Sequence, residues 1–166
     1  MTTPHLRVGR WGASFAGRRF PCAVGRAGIG AKRAEGDGIT PAGAHRIELV
    51  LRRARDPAPI ARSLPQRRIG PFDGWSDDPA DPAYNQPVRR PRRFSHEALH
   101  RPDRLYDLVG VLDWNRAPAA PGRGSAIFLH AWRRPRLPTA GCVAFAPRDL
   151  AWILARWTPR SRVLVR

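Results

Sequence analysis

A mainly β fold in a single domain is what this sequence predicts, and three observations carry the prediction. A chain of 166 residues with 42% hydrophobic side chains buries one ordinary core and leaves little for a second. Eighteen prolines and fifteen glycines cut the apolar segments into short runs, which suits strands joined by turns better than a helical bundle. Helical spacing is confined to one stretch near the C-terminus and one short stretch after Ser95.

From Leu6 to Val24 short apolar stretches alternate with arginine and glycine and read as two or three strands with tight turns. Gly28 to Gly43 is glycine-rich and reads as a loop with positive-φ turns; it ends in no Gly-Lys-Ser/Thr and does not space its glycines like a phosphate loop. His45 to Arg52 alternates, with Ile47, Leu49 and Leu51 on one face and Arg46, Glu48, Val50 and Arg52 on the other, as a half-buried strand does. Asp56 to Pro91 is rich in proline and aspartate, and its Phe72, Trp75 and Tyr84 argue for a packed, functional loop over a disordered one.

Ser95 caps a short helix running to about His100, and Leu105 to Leu112 and Ser125 to His130 follow as apolar strands. Pro147 opens the last helix, whose Leu150, Ile153, Leu154 and Trp157 fall at i, i+3, i+4 and i+7 and form a stripe that covers a sheet. Arg162 to Val165 closes the chain as a strand.

Thirty basic residues against thirteen acidic ones give a formal charge of +17, and Lys32 is the sole lysine among them. Such a surface attracts polyanions, yet the arginines are spread through every segment and no RNA-recognition or helix-turn-helix pattern accompanies them. No apolar run of about 18 residues is present to span a membrane. The polar Met1 to Arg10 segment lacks the apolar stretch of a secretory signal, which taken alone points to the cytoplasm. His5, His45, His96 and His100 form no convincing ligand cluster, and no Cys-x-x-Cys pair exists, so neither metal nor cofactor is expected.

Two cysteines differ in setting. Cys22, inside Phe20-Pro21-Cys22-Ala23-Val24, reads as a small buried hydrophobe. Cys142 stands in Thr139-Ala140-Gly141-Cys142-Val143, between the last apolar strand and the last helix. A thiol nucleophile needs a base, backbone amides for the oxyanion and a turn tight enough to expose sulfur. His130, twelve residues upstream at a strand end, is the candidate base; Gly141 leaves room for a substrate carbonyl, and the amides of Gly141 and Cys142 are the candidate oxyanion donors. Thr139 either orients His130 or serves as a turn residue bonding its own backbone. Trp132 and Trp152 read as core or edge packing, with groove walls as the alternative.

Ile127-Phe128-Leu129-His130 followed by Pro138-Thr139-Ala140-Gly141-Cys142-Val143 resembles the L,D-transpeptidase catalytic domain of the YkuD type, where a histidine-led segment precedes a Ser/Thr-x-Gly-Cys motif. Gly36-Asp37-Gly38-Ile39-Thr40-Pro41-Ala42-Gly43 and the Asp73 to Asn85 loop are similar to segments of the same family. The resemblance covers residues 20–166 as the catalytic domain, with residues 1–19 as N-terminal strands of the same domain or a partly ordered lead-in. It implies a single-domain β-sandwich or partly closed barrel with one C-terminal helix and a short second helix. It also implies peptidoglycan stem peptides as substrate, a thioester on Cys142, and the cell envelope or periplasm as the place of action. Two departures stand out: Ala131 follows the histidine where the family often has glycine, and Ala144 lies where it often has arginine. Arg133, Arg134, Arg136 and Arg148 are the candidates to replace that cation.

Two other readings compete with transfer. An L,D-endopeptidase or carboxypeptidase would use the same thioester with water as acceptor. A basic polyanion-binding module with a degenerate catalytic pair would bind in a salt-sensitive manner and survive loss of Cys142.

Overall fold

The computed structural model describes residues 2–166. Three layers of sheet and one helix build it. The first sheet has the order β3 (Arg18–Phe20), β2 (Gly12–Phe15), β1 (Leu6–Gly9), β16 (Val163–Val165), β7 (Gly43–His45). Its β1 and β16 pair in parallel, so the first and last strands of the chain lie side by side. The central sheet has the order β4 (Cys22–Ala23), β15 (Val143–Phe145), β14 (Phe128–Ala131), β13 (Leu108–Leu112), β8 (Ile47–Arg52), β9 (Gln66–Arg68). A third sheet, β11 (Pro87–Arg89), β10 (Asp73–Ser76), β12 (His96–Ala98), covers the far side, and β5 (Ile29–Gly30) pairs with β6 (Thr40–Pro41). Both large sheets keep free edges, so the mainly β architecture is layered and encloses no closed barrel.

Two cores follow from this layering. Leu6, Val8 and Phe15 of the first sheet meet Val50, Leu129, Val143 and Phe145 of the central sheet, joined by Leu150, Ile153 and Leu154. On the opposite face Leu51, Val109, Val111 and Phe128 pack under Trp75 and Leu99. The central sheet is therefore buried on both sides, and β13 has no exposed residue along its length.

That double burial corrects the reading of β8. Val50 points into the first core and Leu51 into the second, and a register irregularity opposite Val111 and Leu112 moves Ile47 to the side opposite Leu49. Simple alternation holds only where one face meets water.

The last helix, α1 (Pro147–Ala155), begins with Pro147, whose missing N–H costs nothing in the first turn, and carries Asp149 near its positive end. Leu150, Ile153 and Leu154 are fully buried against β13 and β14, each contributing about 2 kcal/mol by removal of apolar area from water. Trp157 stacks on Phe15 at 5.5 Å, extending the stripe past the helix end.

The short second helix after Ser95 is absent: His96–Ala98 is β12, registered so that Ser76 faces His96 and Gly74 faces Ala98. Local capping chemistry at Ser95 yields here to pairing with β10. The segment read as a long loop likewise contains strands β9, β10 and β11, and Trp75 within it is wholly buried.

Candidate active site

Strand register puts the two candidate residues on one face of the central sheet, each bonded to backbone and not to the other. β14 and β15 run parallel, with Leu129 opposite Val143 and His130 opposite Ala144. Side chains alternate across a sheet, so Cys142, two residues before Ala144, falls on the face that carries His130. The sulfur closes the ladder at that point, accepting the Phe128 N–H at 3.4 Å and donating to the Ala126 carbonyl at 3.1 Å.

The turn that delivers Cys142 is held from several sides. The Thr139 hydroxyl donates to the Cys142 carbonyl at 2.6 Å and accepts the Gly141 N–H at 3.1 Å. Thr139 is itself stitched to the start of the chain, its N–H donating to the Val24 carbonyl and its carbonyl accepting the Arg26 N–H. Gly141 sits at φ +148°, and a Cβ there would come within 2.9 Å of the Ile39 carbonyl oxygen, so only glycine lets the turn rest on the Asp37 to Thr40 segment. From that segment Thr40 Oγ1 accepts the Gly25 N–H at 2.8 Å and reaches toward the Cys142 carbonyl at 3.5 Å. Motifs about 100 positions apart in the chain thus meet under one sulfur, Thr40 and Cys142 being 102 residues apart.

The Asp73 to Asn85 loop supports the same place from the other side. Asn85 Oδ1 accepts both the Trp75 indole N–H at 2.9 Å and the Ala126 N–H at 3.0 Å, fixing the residue whose carbonyl takes the thiol proton.

His130 is buried at 8% exposure, its ring edge-on to Tyr106 at 5.4 Å. Its Nδ1 lies 2.7 Å from the Ala131 carbonyl. A carbonyl only accepts, so in the neutral ring Nδ1 carries the hydrogen and Nε2 keeps a free lone pair. The Ala131 carbonyl therefore orients the imidazole, and the Thr139 hydroxyl, offered by sequence for that task, is spent on the cysteine turn instead. The Gly141 amide is likewise taken by Thr139, which removes it from the candidate oxyanion donors; the Cys142 amide has no partner among the described residues.

Burial governs both ionisations. Desolvation pushes the Cys142 thiol up to about 12, helped by the negative Glu97 and opposed by the Phe128 N–H and the positive Lys32. Desolvation also presses His130 down to about 4, against the pull of its bond to Ala131. At neutral pH the pair rests as thiol and neutral imidazole.

The two residues open into one cleft of about 710 Å³. Thr139, Gly141 and Ala144 line it with them, as do Trp132 and the exposed Leu137. Its charged lining was largely missed by sequence: Lys32, Arg101 and Arg133 are its cations, Glu35, Asp77 and Glu97 its anions. Of the four arginines offered to stand in for the one absent at Ala144, only Arg133 lines the cleft; Arg136 instead donates to the Trp11 carbonyl. Tyr106 donates to Glu97 at 2.6 Å and Tyr84 donates to Glu35, so two of the acids are held by phenols. The single signal for Lys32 was its rarity among so many arginines.

Cys22 lies elsewhere. It is 3% exposed in the first core, on the other side of the central sheet, and burial raises its thiol to about 11. Both cysteines are free. Trp152 packs on Phe15 and Phe20, remote from the cleft. His45 bonds the Pro41 carbonyl and His96 the Phe94 carbonyl, and among the described residues no group of three or more His, Cys, Asp or Glu is placed to hold a metal ion.

A histidine and a cysteine at adjacent parallel strands, the cysteine on a glycine-dependent turn, share a polar cleft in a layered β fold. The family model of the L,D-transpeptidase catalytic domain, YkuD, matches residues 14–165, and the chain belongs to that family. No curated protein and no solved structure matches the chain. Among the described residues no helix is long and apolar enough to cross a membrane.

Proposed function

We propose that the protein is a cysteine-dependent L,D-transpeptidase acting on peptidoglycan stem peptides, with Cys142 as nucleophile and His130 as base. The observation that carries this reading is the placement of both side chains on one face of adjacent parallel strands, in a cleft of a chain that belongs to this family.

The resting pair is neutral, so the reaction begins with proton transfer. Nε2 of His130 takes the thiol proton as sulfur 142 attacks the carbonyl carbon that precedes the terminal D-alanine of a tetrapeptide stem. The negative charge moves to the carbonyl oxygen, where the Cys142 amide is the available backbone donor. Collapse of the tetrahedral intermediate breaks the C–N bond, and the leaving amine takes the proton from His130. A thioester remains on Cys142. An amine of a second stem then attacks it, giving its proton to His130; the C–S bond breaks and the sulfur recovers that proton. The cleft's mixed charge, with Arg101 and Arg133 against Glu35, Asp77 and Glu97, suits a substrate that carries both carboxylates and ammonium groups. The substrate class puts the site of action in the cell envelope, and within the N-terminal segment 1–19 the described residues 2–19 supply strands to the same unit as residues 20–166, Met1 lying outside the described residues.

The test is incubation of purified protein with tetrapeptide muropeptides, followed by mass spectrometry of the products. Cross-linked dimers with release of D-alanine support transfer, and trimmed monomers alone assign the hydrolytic reading. Cys142→Ala and His130→Ala are each expected to abolish turnover. Turnover that survives Cys142→Ala overturns the proposal.

A further inference from the structure

Lys32 is the only lysine in a chain with thirty basic residues, and it is one of the few charged side chains buried in the molecule, at 5% exposure. Its Nζ donates to Asp37 Oδ1 at 2.6 Å. Asp37 is fixed in turn, Oδ2 accepting the N–H groups of Arg33 and Ala34 and Oδ1 that of Ile39. Burial alone disfavours the charged carboxylate, but the Lys32 bond and these three amides together hold Asp37 well below the usual carboxylate range. The aspartate is thus a fixed anion whose role in the fold is to anchor one ammonium.

The surroundings are shaped for that side chain. A Cβ on Gly124 would stand 2.2 Å from Lys32 Cε, and a Cβ on Gly141 would stand 3.5 Å from Nζ. Gly124 therefore leaves the space that the lysine occupies, and the ammonium reaches ordinary contact range of the Cβ position of Gly141, the residue next to Cys142.

We propose that Lys32, anchored by Asp37 beside the Gly141–Cys142 turn, is a charge-stabilising residue of the site: its ammonium offsets the negative charge that arises on sulfur 142 and on the oxyanion of the bound acyl group. The inference rests on Cys142 being the nucleophile. In water a cation at this range does little, whereas beside a desolvated thiol its field is weakly screened. The other titratable and charged groups of the cleft near the sulfur are His130 on β14, Tyr106 with Glu97, and the guanidinium groups of Arg101 and Arg133. Of the charges in the cleft, Glu97 opposes the thiolate and Lys32 favours it. No covalent step is assigned to Lys32.

The experiment compares alkylation of Cys142 by iodoacetamide, followed by peptide mass mapping so that Cys22 is counted separately, in the wild-type protein, Lys32→Met and Lys32→Arg. At a fixed mildly alkaline pH, Lys32→Met is expected to slow modification of Cys142 by about threefold to about tenfold, the loss of thiolate being partly offset by the greater nucleophilicity of a more basic sulfur. Lys32→Arg is expected to recover most of that loss because it keeps the charge, while the rate at Cys22 stays unchanged in both. Should Lys32→Met fail to fold by circular dichroism, Lys32→Met/Asp37→Asn leaves neither charge unpaired and carries the same comparison. Folded protein lacking the lysine charge, with an unaltered rate at Cys142, overturns the inference. Equal slowing in Lys32→Arg overturns it too, since shape and not charge would then matter. Survival of muropeptide turnover in Cys142→Ala is a separate outcome that sinks the reading of the nucleophile and does not bear on the alkylation rates.

Discussion

The Cys142 thiol donates to the Ala126 carbonyl at 3.1 Å, an acceptor that a thiolate would repel. The site is therefore built around a protonated sulfur at rest, with the Phe128 N–H as its one backbone donor. With the thiol raised to about 12, the fraction of thiolate grows through the whole alkaline range. Modification of Cys142 by iodoacetamide is expected to accelerate about tenfold per pH unit from neutrality upward. A plateau beginning below about pH 8.5, the ordinary thiol value, would show instead a thiolate stabilised at rest.

Acid sensitivity follows from His130, which burial holds at about 4 against 6.5 in the unfolded chain. Between those values the unfolded state binds the extra proton, so this contribution is complete above about pH 6.5 and is lost as pH falls toward 4. The difference corresponds to about 3 kcal/mol. Denaturant titrations at neutral and acid pH check this: His130→Gln, which cannot titrate, is expected to flatten that part of the stability profile, and an unchanged profile contradicts it.

Gly141→Ala tests the turn beneath the sulfur. Its φ of +148° and the 2.9 Å approach of a Cβ to the Ile39 carbonyl force either strain or displacement of the turn. A cost of about 1–3 kcal/mol in stability is expected. Turnover should fall by at least about tenfold, because a shift of the turn by a fraction of an ångström spoils alignment with His130. Thermal melts and product assays read the two effects separately.

Thr139 carries two hydrogen bonds within that turn and none to the imidazole. Thr139→Val keeps the shape, leaves the Gly141 N–H without its partner and the Cys142 carbonyl with only the long Thr40 contact, a loss of about 1–3 kcal/mol, whereas Thr139→Ser is expected to stay close to wild type. Equal melting temperatures for the two variants would contradict this account.

The apolar strands and the final helix were legible because their signal is local. Leu150, Ile153, Leu154 and Trp157 repeat at helical spacing, and Leu108–Leu112 is an unbroken apolar run. Cys142 and His130 were legible because a Gly-Cys turn after an apolar strand is a compact pattern. The third sheet was hidden: Asp73–Ser76 lies in a segment that reads as a packed loop, and its pairing with Pro87–Arg89 and His96–Ala98, with Trp75 over Phe128 at 5.0 Å, makes it a strand of the structure. Val50 was misassigned because both faces of β8 are buried. The charged lining of the cleft depends on contacts between distant segments, such as Tyr84 with Glu35, which no local period encodes. The arginine excess has a partial account in packing, since Arg156 lies over Trp152 at 4.1 Å and Arg116 over Trp75 at 4.7 Å.

The most direct measurement is the intact mass of the protein after brief exposure to a tetrapeptide stem with no acceptor amine. The account predicts one covalent acyl adduct, equal to the stem less its terminal D-alanine, sensitive to hydroxylamine, mapped to Cys142, missing in Cys142→Ala and slow to form in His130→Ala. Adduct formed equally at Cys22, or D-alanine released at the wild-type rate by Cys142→Ala, would contradict it.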